Sequence, residues 1–155
     1  MDQQTDPAHT VSRLILASPA AIYRAHLDPE AVVRWRAPTG MHGRIFRFEP
    51  WAGGHYQMSL EHEDPAQRGK TEGGTDLFEG RFAELVPERR IVELVRFTSE
   101  DPAFQGEMRL ITTLEPEGAG TRVGIRAEDV PSGISAEDHA VGMASALANL
   151  ARWVE

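Results

Sequence analysis

After Gly40 the apolar residues take up a period of two, and from Ser135 they take up the period of a helix. Met41 to Phe48 (MHGRIFRF) sets Phe46 and Phe48 on one face with Arg44, and His55 to Leu60 (HYQMSL) points Tyr56, Met58 and Leu60 one way. Thr75 to Val86, Ile91 to Phe97, Glu107 to Leu114 and Thr121 to Glu128 read as four more strands. Pro50 with Gly53-Gly54, Pro87 to Arg90, and Glu115 to Gly120 supply turns short enough to make neighbours antiparallel. From Ser135, Met143, Ala146, Leu147, Leu150 and Val154 recur at spacings of three and four, which predicts one long amphipathic helix. Ser135 suits its cap, and Glu137 and Asp138 suit the positive end of its dipole. Many antiparallel strands and a single long helix leave one economical packing, an α+β domain whose sheet curls around that helix.

The opening residues fit this plan. His9 to Ala17 (HTVSRLILA) reads as a strand, Ser18-Pro19 starts a short helix reaching His26, and Asp28-Pro29-Glu30 starts another running from Pro29 to Arg34. Val32, Val33 and Trp35 supply the apolar side of the second helix before Pro38 and Gly40 end it. Glu61 to Gly74 (EHEDPAQRGKTEGG) lacks periodicity and reads as a long exposed loop. With no repeat and no boundary, residues 1–155 are expected to form one domain, residues 1–8 being a flexible tail.

Composition narrows the functional classes. A chain of 155 residues buries roughly 70% of its unfolded surface and needs no disulfide or metal to hold it together. The net charge is −8 and the sixteen Lys and Arg residues are scattered, a poor footprint for nucleic acid. There is no cysteine, hence no disulfide, thiolate metal site or cysteine nucleophile. MDQQTDPAHT lacks a secretory signal's basic and apolar stretches, and no apolar run approaches the ~20 residues of a bilayer span, so a cytoplasmic location without membrane insertion is expected. The histidines at 9, 26, 42, 55, 62 and 139 form no His-x-His or i, i+4 pair, so no metal site is expected. The nucleophile elbow, the phosphate loop and the dinucleotide fingerprint are all absent, and no cofactor is called for.

The element order, the stretches IYRAHLDPEAVVRWRAPTGM, FEPWAGGHYQM and EGRFAELVPERRIV, and the tail VGMASALANLARWVE together resemble the START-like superfamily, also called SRPBCC or birch-pollen-allergen-like. Within it they are most similar to the branch related to the activator of the heat-shock-protein-90 ATPase. As a set, DPE…W…P…GM, then Gly-Gly, Glu-Gly-x-x-x-Glu and Pro-x-x-Arg, is specific. The resemblance implies a helix-grip fold, a seven-stranded antiparallel sheet wrapped around the C-terminal helix with a cavity between them. The branch's usual Gly-Trp in that helix is Gly142-Met143 here, which alters the space beside it.

On that resemblance Trp35, Phe46, Met58, Phe78, Phe82, Met108, Met143 and Leu147 are the candidate cavity lining, each equally able to serve as plain core. Trp35 sits between Arg34 and Arg36, and two readings stand: a core tryptophan with solvated arginines, or an Arg36 that reaches the cavity mouth to meet an anionic head group. Glu79 and Glu84, flanked by Phe78 and Phe82, are the candidate inward carboxylates for acid–base chemistry; the rival reading pairs a structural glutamate with Arg89 or Arg90. Three functions follow in order of preference: a non-enzymatic carrier or sensor of a small hydrophobic molecule, a co-chaperone-like module acting on a partner's ATPase, and a pocket cyclase or hydrolase. Monomer and homodimer are both open.

Overall fold

The structure is a computed structural model that describes residues 8–63 and 75–155. Strand β1 (His9–Ile15) leads into helices α1 (Pro19–His26) and α2 (Pro29–Trp35). Strands β2 (Met41–Phe48), β3 (His55–His62), β4 (Thr75–Val86), β5 (Arg90–Phe97), β6 (Met108–Glu117) and β7 (Gly120–Glu128) follow, and α3 (Ala136–Val154) comes last. The seven strands form one antiparallel sheet in the order β1-β7-β6-β5-β4-β3-β2, curled as a half-barrel with α3 in its grip. Among the described residues no helix is long and apolar enough to cross a membrane. All but the last residue of the expected flexible tail at residues 1–8, and the greater part of the expected loop from Glu61 to Gly74, lie outside the described residues.

Local chemistry fixes where the helices begin. The Ser18 hydroxyl accepts the Ala21 N–H at 3.1 Å, the Asp28 carboxylate accepts the Glu30 N–H at 3.0 Å, and the Ser135 hydroxyl accepts the Asp138 N–H at 3.0 Å. Each satisfies an amide that its own helix leaves unpaired. Helix α3 buries Met143, Ala146, Leu147, Leu150 and Ala151. Its far side is tied to the end of α2, where the Asn149 amide donates to the Ala37 carbonyl at 2.8 Å and Ser145 Oγ accepts the Thr39 N–H at 2.9 Å.

The structure departs from or adds to the sequence reading at several places. The alternation of β2 breaks at a bulge between Ile45 and Arg47, so that Ile45 and Phe48 face inward while Phe46, at 57% exposure, faces out. The expectation that Phe46 and Phe48 share a face is therefore corrected: one unpaired residue shifts the phase of everything beyond it. Strand β6 extends through Glu117, so most of the stretch read as a turn is paired strand, and Gly118 takes the left-handed conformation (φ +58°) at the tight reversal. A short 3-10 turn, Pro102–Phe104, is capped by Asp101 and sits against Gly133, whose N–H donates to the Ala103 carbonyl at 2.7 Å.

One glycine positions the interior. Gly80 pairs with Tyr56 across β4 and β3, and a Cβ there would strike the Tyr56 ring. Its absence lets the ring lie flat over β4 and carry its hydroxyl to β5.

Candidate functional site

Between the inner face of the sheet and α3 lies a cavity of about 350 Å3. Leu60, Phe78, Val95, Phe97, Met108, Leu110 and Ile125 form its sheet wall, Met143 and Ala146 its helix wall, and His26 and Trp35 its end at α1 and α2. Phe104, Ile134 and His139 edge it near the start of α3. A mostly apolar enclosure of this size, with few polar groups, is the usual form of a small-molecule site.

Two polar residues of the wall, Arg36 and Glu93, make a cluster with Tyr56, while Asp76, Thr112, Ser135, Asp138 and His139 line it elsewhere. Arg36, just past α2, sends Nη1 to Glu93 Oε1 at 2.7 Å and Nη2 to the Tyr56 hydroxyl at 3.2 Å, and that hydroxyl donates to the same Glu93 oxygen at 2.6 Å. The guanidinium also rests over the rings of Tyr56 and Phe78, at 5.4 and 5.9 Å from their centroids. Glu93 is only 3% exposed. Burial would raise its pKa, but the Arg36 charge and the bonds from Tyr56 and Arg36 outweigh that and hold it below the ordinary carboxylate value. Burial alone would lower the pKa of Arg36, and Glu93 with Tyr56 reverses this, so the pair is ionised. Tyr56, raised well above its usual value chiefly by burial, keeps its proton.

His26 completes the cluster. It is 5% exposed, packs edge-on to Trp35 at 4.7 Å between centroids, and its Nδ1 lies 2.9 Å from the Ile22 carbonyl. A carbonyl only accepts, so Nδ1 carries the hydrogen and Nε2 a lone pair. Burial lowers its pKa, and the opposing effects of the Ile22 carbonyl and Glu93 do not undo this. The folded state therefore resists protonation at His26 while the unfolded chain does not. The associated stability is complete above the ordinary value of 6.5 and is lost as pH falls below it. Glu93, depressed from 4.5, contributes stability that is present above that value and lost as pH falls further. In melting curves taken across this range, His26→Phe is expected to flatten the loss that starts near pH 6.5 and leave the lower one; an unchanged profile would remove His26 from the account.

A family model described as "Activator of Hsp90 ATPase homolog 1-like protein" matches residues 16–155. The chain belongs to that family. Within this Activator of Hsp90 ATPase homolog 1-like family and the broader fold, solved structures agree with the architecture. Protein CV1439 from Chromobacterium violaceum is similar at 32% identity, with 96% of each chain covered and a TM-score of 0.84. An AHSA1-like protein from Aeromonas hydrophila shares the fold at 20% identity, covering 94% of this chain and 91% of its own, with a TM-score of 0.67. DynU16, described as a putative protein in the dynemicin biosynthetic locus, shares it at 19% identity and a TM-score of 0.65, this chain spanning 47% of that one. No curated protein sequence matches. The family fits a ligand-binding or co-chaperone-like module.

In this family member the structure gathers some of the sequence candidates and separates others. Trp35, Phe78, Met108 and Met143 line the cavity. Met58, Phe82 and Leu147 are buried in the core beside it without entering its wall, and Phe46 is outside for the reason given above. Arg36 stands within the cavity wall, paired to Glu93 rather than reaching for solvent at the mouth, and its side chain is 15% exposed. Arg34 is not simply solvated either, since it stacks on Trp153 at 5.9 Å. Glu79 and Glu84 lie on the outer face, Glu84 2.8 Å from Arg90: the inward phase of β4 runs through Asp76, Phe78, Gly80 and Phe82, which turns Glu79 out, and a bulge between Phe82 and Glu84 shifts the phase so that Glu84 faces out as well. Neither is the inward carboxylate. The carboxylates that do point in, Glu93 and Asp76, went unread in the sequence, as did His26. The signal for Glu93 was available, for in RIVELVRF it shares its parity with Ile91, Val95 and Phe97. Among the described residues no three His, Asp or Glu side chains converge as metal ligands.

Proposed function

We propose that the chain is a non-catalytic carrier or sensor that holds one small, largely apolar molecule between the sheet and α3. The observation that carries this reading is the cavity of about 350 Å3, walled by Leu60, Phe97, Met108, Leu110, Ile125 and Met143. A core kept only for stability would close such a void, because the lining forfeits contacts wherever a space stays empty. The outward placement of Glu79 and Glu84 withdraws support from a pocket enzyme that uses either one.

The uncharged dye Nile red supplies the test. It is expected to bind saturably, one per chain, with a blue-shifted emission. Met143→Trp puts the aromatic residue usual in the resembled branch into the cavity wall and is expected to abolish this binding while the far-ultraviolet circular dichroism stays native. No saturable signal in the wild-type protein, or equal binding by the filled variant, overturns the reading.

A further inference from the structure

We infer that His26 and Glu93 select a ligand whose buried polar group is an uncharged hydrogen-bond donor such as a hydroxyl, and that they exclude carboxylates. This rests on the cavity reading above and adds which end of the molecule is read, and by what.

The cavity's polar corner offers acceptors. His26 commits Nδ1 to the Ile22 carbonyl at 2.9 Å, and Nε2 makes no hydrogen bond among the described residues. Glu93 takes both of its bonds, from Arg36 at 2.7 Å and from Tyr56 at 2.6 Å, on Oε1, which leaves Oε2 without one. Both side chains are more than nine-tenths buried, at 5% and 3% exposure, and both belong to the cavity wall. Neither free atom is sealed away from the cavity space. Water can serve two acceptors that open onto the cavity, but a ligand that displaces that water without supplying a hydrogen leaves them unmet at a cost.

Charge decides the rest. Among the described residues Arg36 is the one cation in the wall, and Glu93 already matches it, so this corner offers no surplus positive charge for an anion. A carboxylate there would leave water to face the Glu93 carboxylate and the His26 lone pair. A hydroxyl fits both demands, donating to His26 Nε2 or Glu93 Oε2 while accepting from a guanidinium N–H that Glu93 and Tyr56 leave unused. Of the two sequence readings of Arg36, this inference stands against the one in which it meets an anionic head group.

Naphthol, methylnaphthalene and naphthoate, substituted at the same ring carbon, share one apolar body and differ only in the group read. Calorimetry near pH 7, where the phenol keeps its proton and the acid has lost it, is expected to give naphthol an advantage of about tenfold or more over each of the others. His26→Phe is expected to remove most of the advantage over methylnaphthalene. Glu93→Gln, which keeps shape but frees the Arg36 charge, is expected to narrow the gap to naphthoate; if that variant fails to fold, the wild-type order still decides. Naphthoate binding as tightly as naphthol, or methylnaphthalene doing so, overturns the selectivity and leaves the cavity reading standing. The same holds if Nile red binds and none of the three does, whereas failure of all four probes overturns the cavity reading itself.

Discussion

Arg36→Met is expected to lower folding stability by about 3–5 kcal/mol, because it strands the Glu93 carboxylate inside the protein without its cation. The measurement is the urea midpoint at constant slope. The loss belongs to the orphaned charge and not to the worth of the pair, so the double variant Arg36→Met/Glu93→Leu is expected to recover much of it. Replacing a whole buried pair by apolar groups is often neutral. Recovery should still be incomplete, since the Tyr56 hydroxyl then loses both partners, at a cost of about 1–3 kcal/mol. Adding Tyr56→Phe should return that remainder. A single variant that costs under about 1 kcal/mol would show that water reaches Glu93 freely.

Trp35→Ala should cost a similar amount, about 3–5 kcal/mol, for a different reason. The indole is 5% exposed, packs against His26, and donates its N–H to the Ala25 carbonyl at 2.9 Å, which ties α2 to α1. Truncation leaves a void continuous with the cavity and an acceptor with no donor. Trp35→Phe separates the two contributions, since it keeps most of the ring and should lose only about 1 kcal/mol for the missing hydrogen bond. Equal losses in the two variants, read from denaturation curves, would mean that the N–H bond dominates and the packing argument fails.

The difference between what could be read from the residues and what could not follows the range of the forces involved. Ser18, Asp28 and Ser135 act on amides two or three residues away, and the starts of all three helices were legible for that reason. Antiparallel pairing was legible where short turns join the strands, but the place of β1 beside β7 was not, because no turn connects them. The inward phase of β2 was not, because the bulge at Phe46 is decided by how the strand meets β3. The polar corner was hidden by the same kind of distance. Arg36 and Glu93 stand 57 positions apart, and nothing near either one announces the other. Alternation places Phe78 on the face opposite Glu79, whereas Glu84, which by alternation would share the face of Phe82, is turned outward by the bulge between them, a feature no neighbouring residue announces.

The sheet order also governs how the chain reaches this state. β1 lies at the edge and pairs only with β7, with His9 opposite Ala127 and Ile15 opposite Thr121. The opening strand therefore finds its one partner in the sheet at the last strand of the chain. Contacts this distant along the chain demand that a large loop be closed before they return any energy, which puts folding on the order of milliseconds to seconds rather than microseconds. β1 also packs against α3, and the Leu16 N–H donates to Glu155 at 3.0 Å, so the first strand and the end of α2 together fasten the last helix over the cavity.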